Sequence, residues 1–303
     1  NPVVDIAMPD PTVIKAADGY FYVYATESTR NVPIMKSKDL VEWTYCNTAF
    51  TNKTRPRFEP KAGIWAPDIN YINGKYVLYY AMSVWGGEQT CGIGVATANS
   101  PQGPFTDHGK MFRSNEIGVQ NSIDPSLLQY EGRNYLVWGS FRGIYVIDLT
   151  ADGLSIMPGA KKKRIAGTAF EAVYIHKYGD YYYMFASIGS CCQGVKSTYK
   201  VVVGRSKKVW GPYKDKTGKP MLKNGYSLVI GANDHFVGNG HGSQIIRDDA
   251  GQDWLLYHGF SRSTPENGRI LLLDQIKWDQ EGWPYVEGGS PSYETQKAPV
   301  FNN

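Results

Sequence analysis

Three acidic residues stand in short segments that could share proton chemistry: Asp10 in AMPDPTVI, Asp124 in NSIDPSLL and Glu171 in FEAVYI. A carboxylic acid working beside an ionised carboxylate is what cleavage of a glycosidic bond requires. The acid must keep its proton near neutral pH, so its pKa has to rise from about 4.3 toward roughly 6–7. That shift is on the order of 3 kcal/mol, which apolar neighbours and a second carboxylate supply. Glu171 suits the acid, because Phe170, Ala172 and Val173 make its local sequence the driest of the set. Asp10 and Asp124 are each followed by proline and read as fixed, ionised groups. Aromatic residues make up 14% of the chain, with 22 Tyr and 8 Trp, enough to stack on the apolar faces of sugars.

The elements that must position these groups repeat. Five stretches share one pattern: DPTVIKAADGYFYVYAT from Asp10, PDINYINGKYVLYYAM from Pro67, DPSLLQYEGRNYLVWGS from Asp124, EAVYIHKYGDYYYMFAS from Glu171 and HGSQIIRDDAGQDWLLYHG from His241. Each runs through a β-prone segment, turns at a glycine (Gly19, Gly74, Gly132, Gly179, Gly251) and returns through an aromatic-rich strand, which reads as a hairpin. Alignment on Asp10, Asp68, Asp124, Glu171 and His241 gives spacings of 58, 56, 47 and 70 residues. Further strand-like sequence follows each hairpin, and SPQGPFTDHGK is echoed by KVWGPYKDKTGK. Units of that length with three or four strands are propeller blades. Helical periodicity is missing almost throughout, so the chain reads as all-β, a five-bladed β-propeller forming one domain over residues 1–303. Inner strands line the axis of a propeller, so the five aligned ionisable residues are expected to converge in a ring at one mouth of the channel. Such a ring of like charges is costly without a use.

Composition narrows the function classes. The 303 residues, 42% hydrophobic and 20% charged, suffice for a sizeable core, and no apolar run approaches the roughly 20 residues of a membrane helix. The net charge of +4 is dispersed, and its one basic cluster, Lys161 to Arg164, lacks interleaved aromatics and reads as a solvated loop rather than a nucleic-acid patch. The cysteines, Cys46, Cys91, Cys191 and Cys192, have no zinc-site spacing; the adjacent pair is either a vicinal disulfide or two buried thiols. A chain beginning at Asn1 is compatible with a removed signal peptide and equally with trimming.

AMPDPTVI, NSIDPSLL and FEAVYI resemble the three signature segments of glycoside hydrolase family 43, whose members are five-bladed propellers. GIWAPDINYINGKYVLYYAMS, SCCQGVKSTYKVVVGRSK and GRILLLDQIKWDQEGWPYV are most similar to its arabinan endo-1,5-α-L-arabinanase branch. The resemblance implies Asp10 as general base, Glu171 as general acid and Asp124 as the residue that raises the acid's pKa and holds it. It implies inversion, with the base and acid carboxyls about 6.5–9.5 Å apart. His241, in GNGHGSQ, matches a histidine that in this branch helps hold a cation, often calcium, through a largely water-filled shell; Gly242 stands where Asn is common.

For substrate contacts the sequence offers Trp65 and Trp85 as stacking rings, Asp68 as a partner for hydroxyls, and Arg142 and Arg269 as donors to the glycone. His176 and His258 sit inside strand patterns and read as blade residues. The expected substrate is α-1,5-linked arabinan, cut internally, by a secreted, periplasmic or cell-surface monomer with no organic cofactor and no nucleic-acid or membrane partner. The competing readings are an exo-acting α-L-arabinofuranosidase or β-xylosidase of the same fold, a carbohydrate-binding propeller without activity, and a fructoside-cleaving relative. The last is disfavoured because Met8-Pro9 precedes Asp10 where that family carries Asn.

Overall fold

The computed structural model describes residues 1–302. Every predicted hairpin forms, because each turn glycine adopts the left-handed backbone that closes a tight turn: φ is 83° at Gly19, 79° at Gly74, 72° at Gly132, 54° at Gly179 and 79° at Gly251. At Asn73-Gly74 and Glu131-Gly132 both turn residues have positive φ, so Ile72 pairs with Lys75 and Tyr130 with Arg133 across two-residue turns.

Strand β1 (Val4–Ala7) is set aside at the N-terminus, and the first blade then comprises β2 (Thr12–Lys15), β3 (Phe21–Tyr24), β4 (Pro33–Ser37) and β5 (Thr44–Thr48). The second comprises β6 (Gly63–Ile72), β7 (Lys75–Ser83), β8 (Gly92–Ala98) and β9 (Thr106–Arg113). A single helical turn, α1 (Ser114–Ile117), leads to the third blade: β10 (Ser126–Tyr130), β11 (Arg133–Trp138), β12 (Ile144–Asp148) and β13 (Lys163–Ala166). The fourth holds β14 (Glu171–Tyr178), β15 (Tyr181–Ile188), β16 (Lys200–Ser206) and β17 (Ser227–Ile230). The fifth is built from β18 (Phe236–Gly240), β19 (Ile246–Arg247), β20 (Asp253–Ser261) and β21 (Ile270–Trp278), with β22 (Pro284–Tyr285) on β21. Its outer strand is β1, which pairs antiparallel with β21 through Val4↔Leu271 and Ala7↔Ile270. The two ends of the chain thereby close the ring of a five-bladed β-propeller. Asn1 ties the seam, its side chain donating to Asp274 at 2.9 Å and accepting from the Leu273 N–H at 2.8 Å.

Each blade is buried on both faces, so its middle strands are hydrophobic at nearly every position. Along β7, Tyr76, Leu78, Tyr80 and Met82 pack with Tyr22, Tyr24 and Ile34 of the first blade. The alternate residues Val77 and Tyr79 pack with Leu136, Trp138 and Ile147 of the third. Fully burying side chains of this size contributes about 1.5–3 kcal/mol each. No helix is long and apolar enough to cross a membrane among the described residues.

Candidate active site

Every inner strand starts at the same end of the ring, and the return strand comes back to that end. The loops joining second and third strands therefore crowd one mouth, and they carry Thr26, Trp85, Ser140, Arg142, Tyr199 and Arg269. At the head of each inner strand one residue other than glycine is forced into the left-handed region: Asp10 (φ 54°), Ala66 (41°), Asp124 (57°), Ala172 (54°) and His241 (54°). Such a backbone costs on the order of 1–3 kcal/mol per residue and persists where surrounding bonds fix it. This kink is the true structural register of the repeat. It corrects the aligned ring, because Asp68 lies two residues beyond the kink at Ala66, and Glu171 lies one residue before the kink at Ala172. Five ionisable groups do gather along the axis, but they are not five equivalent positions.

Asp10 is buried among cations and donors. Its Oδ1 lies 3.0 Å from the Arg269 guanidinium and 3.1 Å from His241 Nδ1, and its Oδ2 accepts from Thr26 Oγ1 at 2.6 Å. Burial alone would raise its pKa, but Arg269, His241 and the hydrogen bonds together hold it well below the usual carboxylate range. The Asp10 N–H donates to His258 Nδ1 at 3.0 Å, which fixes the kink. His258 is fully buried and its pKa falls to about 4, chiefly through burial, so this ring is neutral. His241 goes the other way. Burial would lower its pKa, but Asp10, Asp124 and Glu171 raise it to about 9.

Glu171 and Asp124 form the opposite environment. Glu171 is buried, with Oε2 accepting from Ser140 Oγ at 2.6 Å and Oε1 from Tyr199 Oη at 2.5 Å. Burial raises its pKa, and the two hydroxyls oppose that rise without cancelling it. Asp124 is raised by burial first and then by the charge of Glu171, while its Oδ2 accepts the Ala172 N–H at 3.2 Å. Asp124 thus grips the backbone next to Glu171. Against the sequence expectation of a fixed, ionised group at Asp124, burial and the neighbouring Glu171 carboxyl both favour its protonated form.

The remaining sequence candidates separate by position. Trp65, half-buried beside the kink at Ala66, packs its ring 5.6 Å from that of Trp85, which is 79% exposed. Together they make an aromatic surface at the mouth. Asp68 lies deeper, where it accepts from the Leu127 N–H at 2.8 Å, Asn70 Nδ2 at 2.7 Å and Gln244 Nε2 at 2.8 Å, so its oxygens are occupied by the protein rather than offered to a ligand. Burial raises its pKa to about 7. Arg142 makes a two-point ion pair with Glu88 (3.0 and 3.1 Å), tying the third-blade loop to the Trp85 loop. Arg269 is turned onto Asp10.

His241 is the candidate metal ligand. Its Nδ1 faces Asp10, and Nε2 has no protein partner among the described residues. The ring borders a channel cavity of about 20 Å³ lined by Asp68, Asp124, Ser126 and Gln244, room for one or two waters. Among the described residues no three His, Cys, Asp or Glu side chains cluster closely enough to hold a metal. The donor set fits a cation held through one nitrogen and water, and does not fit calcium gripped directly by protein oxygens.

Sequence reading missed Thr26, Ser140, Tyr199 and Gln244 and placed His258 as a plain blade residue. One signal was present. A small hydroxyl residue stands at or within two residues of the end of the return strand in four hairpins (Thr26, Ser83, Ser140, Ser187), and three of these serve the ring, Ser187 by accepting the His241 N–H at 2.8 Å. Cys191 and Cys192 are joined as a vicinal disulfide, half-buried in the loop before Tyr199.

Residues 1–284 match Glycosyl hydrolases family 43. An extracellular exo-α-(1→5)-L-arabinofuranosidase of Cellvibrio japonicus is 37% identical, the match covering 92% of this chain and 86% of that protein. An extracellular endo-α-(1→5)-L-arabinanase of Bacillus subtilis is also 37% identical, covering 91% of this chain and 86% of that protein. The solved α-L-arabinanase of Cellvibrio cellulosa in complex with arabinohexaose superposes with a TM-score of 0.84 at 33% identity, over 94% of this chain and 96% of the other.

Proposed function

The chain belongs to glycosyl hydrolases family 43, and from that premise we propose that it hydrolyses α-1,5-linked L-arabinofuranosyl bonds in arabinan, with inversion and by internal cleavage. The observation that carries this is the split between its carboxyls. Asp10 is held ionised by Arg269 and His241, whereas Glu171 and Asp124 are pushed toward protonation. Opposite environments for neighbouring carboxyls support Asp10 as the base and Glu171 as the acid.

In this mechanism Asp10 takes a proton from a water as that water attacks the anomeric carbon. Glu171 gives its proton to the departing glycosidic oxygen. Asp124 holds the Ala172 N–H, which fixes the carboxyl of Glu171, and its nearness keeps a proton on the pair at neutral pH. Trp65 and Trp85 give the sugar faces a surface to rest on. An internal mode of attack is supported by the B. subtilis relative and an exo mode by the C. japonicus relative, so the exo-acting arabinofuranosidase stays as the second reading. Both relatives are extracellular, which supports secretion of this protein. Calcium is a narrower proposal: His241 Nε2 would hold it, water would complete its shell, and it would add positive charge beneath the carboxyls.

Variants on substrates with different leaving groups test the roles. Glu171→Gln should lose about 10²–10⁴-fold on arabinan but keep activity on an aryl arabino-oligosaccharide whose phenolate leaves unaided. Asp10→Asn should lose both. The reverse pattern would exchange base and acid. The anomer released first, read by NMR before mutarotation, tests inversion.

A further inference from the structure

The basic run Lys161-Lys162-Lys163-Arg164 has no role in the hydrolytic site. In the chain it lacks aromatic neighbours, but the fold brings two beside it. Next to the run opens a groove of about 280 Å³ whose lining includes Tyr135, Asp148, Lys161, Lys163 and Trp210. Its position is remote from the mouth. β10 leaves the ring at Ser126, so the start of β11, the end of β12 and the start of β13 all lie at the opposite end. Trp210 reaches across from the fourth blade. Its half-exposed ring stands edge-on against Tyr135 (centroids 4.6 Å apart, 62°) and Tyr130 (5.9 Å, 79°), so the platform is set in advance.

The charges sort by side. Alternation along an extended segment puts Lys161 and Lys163 on one face, that of the groove. Their neighbours turn elsewhere: Lys162 Nζ lies by Gly118, and Arg164 Nε donates to the Ala166 carbonyl at 3.1 Å. Asp148 is neutralised by Arg133 at 2.6 Å. Lys161 and Lys163 have no ion-pair partner among the described residues, so the groove is net positive.

We propose that this groove is an accessory binding site for an acidic polysaccharide, one bearing carboxylates on pyranose rings. The aromatic platform takes the apolar face of a sugar ring, and the paired ammonium groups take its carboxylate. Two lysines beside one aromatic platform match a single charged sugar, whereas a nucleic acid calls for a longer row of cations along its phosphates. The inference rests on the arabinan reading only for placing the protein among plant polysaccharides; the groove shares no residue with the hydrolytic ring.

Affinity electrophoresis of the full chain through gels containing polygalacturonate, neutral linear arabinan or no polymer tests it. Polygalacturonate should retard the wild type, and rising salt should weaken the retardation. Lys161→Glu/Lys163→Glu, both exposed and harmless to packing, should weaken binding about tenfold or more. Trp210→Ala should do the same, and both variants should cleave short arabino-oligosaccharides at the wild-type rate. No retardation of the wild type overturns the proposal, as does retardation unchanged in both variants. Tighter binding of single-stranded DNA at the same salt also overturns it. Arabinan cleavage is measured separately: loss of that activity with polygalacturonate binding intact would sink the arabinan reading alone.

Discussion

Tyr199→Phe removes one hydroxyl from Glu171, the proposed acid, and little else. The residue is 1% exposed, and its ring lies 5.6 Å from His258 at an angle of 6°, a stack that phenylalanine keeps. The hydroxyl donates to Glu171 Oε1 at 2.5 Å. Burial first, and then the charges of Glu171, Asp124 and Asp10, raise the Tyr199 pKa well above its ordinary value, so the phenol is a neutral donor throughout the working range. A hydrogen bond to a charged group contributes about 1.5–3 kcal/mol. At 1.36 kcal/mol per unit, its removal raises the Glu171 pKa by about one to two units, the smaller value applying where Asp124 shares the change. The sign follows from the role. In the proposed mechanism Glu171 acts while protonated and the alkaline limb of kcat/KM marks loss of that proton, and the Tyr199 hydrogen bond favours the ionised form. The limb should therefore move to higher pH by about one to two units, while the rate at the optimum falls because one of two anchors is gone. Ser140→Ala, which frees Oε2, should move it the same way. The assay is kcat/KM against pH on a soluble arabino-oligosaccharide, with melting temperature as control. An alkaline limb that stays in place, or moves to lower pH, in a fully folded variant would refute the reasoning.

Arg269→Met removes the charge that does most to lower the Asp10 pKa, so that pKa rises and the acid limb of kcat/KM moves to higher pH; an unmoved acid limb contradicts Asp10 as the base. Trp85→Ala should raise KM about 2–10-fold with kcat and melting temperature unchanged, since the ring is 79% exposed; a fall in kcat alone would remove Trp85 from substrate binding. Chelation should lower activity and calcium restore it, more tightly at higher pH because the His241 ring must give up a proton, while His241→Ala should bind no calcium; calorimetry showing no calcium uptake by the wild type would end that proposal. Leu78→Ala, in the seam between the first two blades, should cost about 2–5 kcal/mol in denaturant unfolding and leave the pH profile untouched.

The blades were legible because each turn glycine, and the short aromatic-rich strand that follows it, announces a local requirement. The positions of Asp10, Asp124 and Glu171 at the mouth follow from those repeats. What the repeat alignment hid is a backbone kink: it let Asp68 and Glu171 stand in line with Asp10, although each is displaced from the left-handed residue of its own blade. Long-range partners were invisible for another reason. His258 looks like any strand residue, and only closure of the ring by β1 on β21 brings it 248 positions back to Asp10. Arg269 and Arg142 read as donors to the glycone, because sequence does not reveal that Asp10 and Glu88 pair with them. The seam itself, with Asn1 on Asp274, carries no local signature at all.

Product analysis on linear 1,5-α-arabinan, beside branched arabinan, arabinoxylan and xylan and with Glu171→Ala as control, tests the central claim most directly. A ladder of arabino-oligosaccharides from the linear polymer, absent in the variant, is the predicted result. Silence of the wild type on every substrate, or an unchanged ladder from Glu171→Ala, would contradict it.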